Sequence, residues 1–313
     1  MKRFLAMLLA SVLAVGIIAF ATNGEGRRTD GLYYEVTGIR PDAQIMTVDG
    51  EKVSAEEYLY WLSSQCDKLA AYYPGVDFNT QYTDSTFGDF VKTDAQEMAK
   101  LYAIVRQWSE KYGVTLTDAD REEIAQQRAQ YVSYYGSEEA YQNQLRLLGI
   151  SEESFNTINE AAYYYANLAK LFCNEDGAQR PSDETLIAFA ADNGYCTAKT
   201  LYVRTSGLDE AALAEKRSQL EAAAEQLRAA EDKDAAYLEL AASLGIETNG
   251  SALTFRASDV SDAAAEILSP LQSGEVSDIV EGSDVLYVFL MQEPDCTTLA
   301  QYYFNQLVSD AQT

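Results

Sequence analysis

A change of rhythm at residues 174–181 (NEDGAQRP) limits what this chain can fold into more than any other feature. Before it, apolar residues recur every three to four positions behind hydroxyl-bearing helix starts. After it, short strand-like runs alternate with helical segments. The two patterns bury different kinds of surface, so they predict two cores of different architecture.

The first pattern opens on a hairpin. Residues 44–53 (QIMTVDGEKV) read as two short strands, with Asp49-Gly50 supplying a positive-φ turn. Ser54 and Glu57 then form a capping box and Val53 with Tyr58 a hydrophobic staple. Tyr58, Leu59, Leu62, Cys66 and Leu69 give that helix one apolar face. Residues 73–88, rich in Tyr, Thr, Asp and Gly around Pro74, read as a long loop. Further helices start after Thr117, Ser137 and Ser151; Gly149 closes the second, and Ile150 and Phe155 staple the third.

In the second pattern Ser182 caps a helix to residue 191. Strands are expected at 197–203, 252–255, 279–280 and 285–291, and helices at 208–229, 234–244 and 263–268. The order β-α-α-β-α-β-β predicts an α+β domain with a small, antiparallel-rich sheet. Residues 297–309 carry Leu299, Tyr302, Tyr303 and Leu307 on one face and are expected to dock as a helix on the helical part.

Residues 1–21 (MKRFLAMLLASVLAVGIIAFA) have a basic start, an apolar run and an Ala19-Phe20-Ala21 cleavage pattern. They predict export. Two readings stay open, a cleaved signal peptide and an uncleaved membrane anchor, because the run is just long enough to span a bilayer. With 23 basic against 49 acidic residues the net charge is −26. A chain so acidic repels phosphate, which excludes nucleic acid as a partner and confines membrane contact to the N-terminal segment.

The chain contains no histidine. That removes Ser-His and Cys-His nucleophiles and every imidazole metal ligand, and no glycine fingerprint for phosphates or dinucleotides is present. No metal or cofactor is expected. Cys66, Cys173, Cys196 and Cys296 match no zinc spacing. In an exported chain disulfides persist; Cys196 with Cys296 and Cys66 with Cys173 is one pairing, and four buried thiols is the other reading.

Four segments in series, VDGEKVSAEEYLYWL, YGVTLTDADREEI, GSEEAYQNQLRLLGISEESF and PSDETLIAFAADN, resemble the SurA and PrsA family of extracytoplasmic folding factors. Residues 250–280 (GSALTFRASDVSDAAAEILSPLQSGEVSDIV) resemble that family's parvulin-type prolyl isomerase domain, most specifically in the hexamer SGEVSD at 273–278. The resemblance implies a linker at 22–43, a helical chaperone domain at 44–180, a connecting helix at 181–194, a parvulin-like domain at 195–294 and a C-terminal helix at 295–313. It also implies an extracytoplasmic location and unfolded or newly translocated polypeptides as partners.

The same resemblance places Thr200 and Tyr287 where parvulins carry their two histidines, and Val260 and Ala264 where Met and Phe floor the proline pocket. Phe255 is retained, and Glu247 in a shortened loop is the stand-in for the family's acidic or cysteine residue. Thr200 and Tyr287 could hydrogen-bond across adjacent strands and keep a neutral version of the histidine network. Three functions follow: a folding factor with weak or lost isomerase activity, an active isomerase using substituted residues, or an envelope adaptor for one fixed partner.

Overall fold

The computed structural model describes residues 27–312. These residues form an α+β protein in two compact units, one of residues 27–171 with 306–312 and the other of residues 172–305. The segment 1–21, expected as signal or anchor, lies outside the described residues. No helix among the described residues is long and apolar enough to cross a membrane.

The first unit begins where a linker was expected. Within 22–43, Leu32–Thr37 is a short helix, α1, with Tyr33 fully buried and its hydroxyl 3.1 Å from Ser63 Oγ. The strap is held because Asp42 accepts the Arg27 and Arg28 backbone N–H groups and Arg28 Nη1 lies 2.6 Å from Glu56 Oε2. Gly31, at φ 86°, runs against backbone: a Cβ there would stand 2.3 Å from Gly149 Cα. Only glycine fits that crossing.

Strands β1 (Gln44–Val48) and β2 (Glu51–Ser54) pair antiparallel around Asp49 and Gly50, both at positive φ, as the turn residues require. The capping box of Ser54 and Glu57 starts α2 (Ala55–Tyr72). The expected loop at 73–88 is instead partly ordered: β3 (Gln81–Tyr82) and β4 (Ser85–Thr86) form a small hairpin, and Thr86 caps α3 (Phe87–Tyr112). That hairpin escaped sequence reasoning because each strand is two residues long, too short to show alternation. Arg106 on α3 ties the unit together by donating to Glu51 and Glu57.

Thr117, Ser137 and Ser151 stand where helices begin, as expected: α4 (Asp118–Tyr135), α5 (Glu138–Leu148) and α6 (Glu152–Cys173). The start of α6 also borrows a cap from α2. Buried Glu56 accepts from Ser151 N, Ser151 Oγ and Ser154 Oγ at 2.9, 2.7 and 2.6 Å, so one carboxylate from α2 satisfies three donors at the start of α6. Val53, Leu62, Cys66, Val91, Ile104, Ile150 and Ile158 belong to the core.

The second unit has one four-stranded antiparallel sheet of order β6-β5-β8-β7, from β5 (Tyr195–Arg204), β6 (Leu253–Arg256), β7 (Val280–Glu281) and β8 (Val285–Met291). One face carries Leu201, Val203, Val288 and Leu290 against α8 (Glu210–Ala229) and α9 (Lys233–Ser243). The other carries Ala198, Phe289 and Met291 against α10 (Asp262–Leu268). The helix expected to connect two domains, α7 (Asp183–Asn193), belongs to this unit, where Leu186 and Ala190 pack on Leu299 and Ala300 of α11 (Cys296–Gln312). The last turn of α11 returns to the first unit as expected: Ala311 joins its core and Gln312 Nε2 donates to Glu97 O at 3.0 Å.

Candidate functional site

Five of the six expected isomerase-site residues gather on one side of the sheet. In the β5–β8 register Thr200 lies opposite Phe289 and Tyr202 opposite Tyr287. Thr200 shares its face with Ala198, two residues before it. Tyr287, Phe255, Val260 and Ala264 all belong to the cluster on that face.

Thr200 and Tyr287 are therefore two register steps out of opposition, and no hydrogen bond joins them among the described residues. The neutral stand-in for a histidine network does not form. The Tyr287 ring stacks on Phe289 at 5.7 Å and lies so close to Gly282 that a Cβ there would come within 2.9 Å of Tyr287 Cε2. Its ring is a packing element.

Phe289 holds the centre of this face. It is 2% exposed, with the Phe255 ring 5.2 Å away on one side and Tyr287 on the other. Sequence reasoning passed over Phe289, although its position two residues beyond Tyr287 in one strand puts both side chains on the same face. Ala264, beneath, has no exposed surface. Val260, the other expected floor residue, is half-buried against the same cluster.

Glu247 is not part of this group. It sits on an exposed loop whose preceding residue, Ile246, packs in the cluster with α8 and α9 on the opposite face. The Tyr237 hydroxyl steadies that loop, with Thr200 O and Thr248 Oγ1 each 3.4 Å away.

The hexamer at 273–278 has a structural task. Gly274 N donates to Met291 O, Met291 N to Glu275 O and Ser277 N to Phe289 O, all at 2.9 Å, so the segment extends the pairing along β8. Ser277 Oγ accepts from Phe289 N at 2.9 Å. Arg228 and Lys233 reach across from the helices to donate to Ser277 O and Gly274 O. The hexamer therefore does structural work, pairing along β8 and accepting from two helix side chains.

The structure holds the four cysteines as thiols. Cys66 is in the first unit's core. Cys196 sits opposite Phe255 and packs with α10, whereas Cys296 packs in one cluster with Cys173. The expected pairing of Cys196 with Cys296 is therefore not made: the two pack in different clusters. Burial raises the pKa of Cys173, Cys196 and Cys296, which lowers their reactivity. Among the described residues no cluster of acidic and cysteine side chains could hold a metal ion.

The first unit presents a different surface. Around the β3–β4 hairpin, Tyr73, Phe87, Tyr82 and Phe90 form a run of rings at centroid spacings of 5.5, 4.7 and 5.5 Å. Tyr73, Tyr82 and Phe90 are exposed, as is neighbouring Tyr72 at 82%. No residue of α4 is buried; the helix is held by Arg128, which clamps Glu138 and Glu152, while Tyr134 stands 82% exposed. Between α1, α2 and α5 lies a groove of about 630 Å³ lined by Tyr33, Tyr60, Asp67 and Leu147 among others.

No family model matches the chain, and no curated protein matches it. Among solved structures it is similar to the foldase protein PrsA from Streptococcus pneumoniae at 14% identity, over 87% of this chain and 88% of that one, with a TM-score of 0.27. PrsA from Bacillus subtilis is similar at 17% identity over 76% of this chain and 90% of that one, TM-score 0.27. A Campylobacter jejuni structure from work on PEB4 and Cj1289, described as SurA-like chaperones, is similar at 10% identity over 85% and 90%, TM-score 0.21. With scores this low, what the chain does is read from its own side chains.

Proposed function

We propose that this chain is an exported protein-folding factor of the SurA and PrsA kind, which holds unfolded or newly translocated polypeptides and has little or no prolyl isomerase activity. The observation that carries this reading is the open run of rings, Tyr73, Phe87, Tyr82 and Phe90, beside the exposed Tyr72. Soluble domains rarely leave so many aromatic rings together in water unless a partner covers them. Aromatic rings give large contact area at low entropic cost and without demanding a fixed sequence, which suits clients that share only exposed apolar side chains.

The export half of the proposal rests on residues 1–21, and the net charge of −26 favours solubility outside the cytoplasm. On this reading the helical region 44–180 is the chaperone domain and 195–294 a parvulin-like scaffold.

Chemistry supports the loss of catalysis. Rotation about an X-Pro bond must cross a barrier of about 18–20 kcal/mol set by amide resonance. An isomerase lowers it by gripping the proline ring in an apolar pocket and favouring the twisted amide there. Here Phe289 and Ala264 are packed in place of that pocket, and Thr200 and Tyr287 are not joined. The test is aggregation of a denatured client run beside isomerisation of a proline peptide on one preparation. Suppression without isomerisation is expected. Fast isomerisation would restore the enzyme and make Phe255, Thr200 and Tyr287 the residues to change; silence in both assays would favour an adaptor for one fixed partner.

A further inference from the structure

We propose that the groove between α1, α2 and α5 binds an extended polypeptide segment in which a large apolar side chain neighbours a lysine or arginine, with Asp67 as the cation's partner. The inference rests on reading the chain as a polypeptide holder and names the kind of segment held. The groove's apolar wall comes from Leu32, the Tyr60 ring and Leu148, with buried Tyr33 beneath them, and Leu147 stands at its mouth 53% exposed. A volume of about 630 Å³ is enough for several side chains of an extended segment.

The polar lining is uncommitted. Ser64 and Gln144 make no side-chain hydrogen bond among the described residues, so both can serve the backbone of a guest. Asp67 and Lys68 line the rim, and neither joins an ion pair among the described residues. Successive helix residues do not face each other, so Lys68 does not neutralise Asp67. Asp67 is exposed as a residue, but the neighbouring apolar wall keeps water from part of its carboxyl and raises its pKa.

Charge also selects the guest. A chain of net charge −26 draws cationic segments toward it and repels acidic ones. The same repulsion makes a second copy of this chain a poor occupant.

The test uses the purified full chain and two labelled Gly/Ser-rich peptides, one with a central Phe-Lys and its twin with Phe-Glu, read by fluorescence anisotropy at low salt. The Phe-Lys peptide should bind about fivefold tighter, the range of one partly screened ion pair. Asp67→Asn should bring the two within about twofold of each other, and Leu147→Glu should weaken both; these rim residues are exposed, so the fold should survive. Equal binding of the two peptides, or a preference that survives Asp67→Asn, would overturn the proposal. A dimer that Leu147→Glu dissociates, with no peptide bound, would also overturn it by giving the groove to a second copy. Client aggregation separates the two readings: suppression without a Phe-Lys preference sinks only the groove, whereas an Asp67-dependent preference without suppression sinks only the general holding function.

Discussion

Both units stack aromatic rings, and they do so to opposite ends. In the second unit Phe255, Phe289 and Tyr287 lie in a row in which Phe289 is buried and the two flanking rings are half-buried against the α10 cluster and Gly282. In the first, Tyr73, Phe87, Tyr82 and Phe90 meet at similar spacings, stacked at Tyr82–Phe87 and edge-on at Tyr82–Phe90, but three of the four rings stay open to water. Stacking alone therefore says little about role. What matters is whether another element covers the outer face: covered rings hold a sheet together, and uncovered rings are free to meet a partner.

The contrast can be broken most forcefully at Glu56, the buried carboxylate that accepts from Arg28, Ser151 and Ser154. Glu56→Ala should cost the first unit about 3 kcal/mol by leaving buried donors without a partner. Both tryptophans, Trp61 and Trp108, lie in that unit, so urea unfolding followed by tryptophan fluorescence reads it selectively. An unchanged midpoint would mean that the network does not hold the unit together.

Gly31→Ala comes next. The added methyl meets Gly149 backbone at a positive-φ position, and a loss of about 2–3 kcal/mol is expected from strain and displacement of α1. The same fluorescence assay tests it, and a neutral result would show that the strap carrying α1 is not anchored there.

Ala264→Phe sharpens the comparison from the other side. If the floor of the second unit is filled, the larger ring should cost about 1–3 kcal/mol, seen as faster amide exchange across α10. Unchanged exchange would mean that the floor has room for a proline after all, and the two units would differ less than they do here.

The smallest effect concerns Asp295, which caps α11 by accepting from the Thr297 and Thr298 N–H groups. The Thr298 hydroxyl, donating at 2.6 Å, is the main cause of its lowered pKa. Its contribution is present above the ordinary aspartate value and is lost as pH falls through the lower folded value. Asp295→Ala should cost about 1 kcal/mol at pH 7, and the gap to the parent chain should close in acid. A gap that persists at low pH would place the effect elsewhere than in the carboxylate.

Much of the fold was legible because its signals are local. Asp49-Gly50 dictates its turn, and Ser54, Thr117, Ser137 and Ser182 each cap the helix that follows from the position read in the sequence. The strap at 27–42 was not legible, since α1 is six residues long and exists because Tyr33 is buried and Arg28 finds Glu56. The candidate site was legible only as a set of positions. Thr200, Phe255, Val260, Ala264 and Tyr287 do gather on one side of the sheet, but Phe289, which fills the space between them, became visible only with the strand register.

By itself, then, the sequence determined the longer helices and strands, where the pattern changes class, the strongly acidic charge, and the absence of imidazole chemistry. These depend on residue identity and on spacing of a few positions. Tertiary structure alone decided that Thr200 and Tyr287 fall out of opposition, that Cys296 packs beside Cys173, that α6 takes a cap from Glu56, and which rings are covered. Each of those facts joins residues far apart in the chain, and a one-residue change of register or a different packing face would reverse it without altering any local signal.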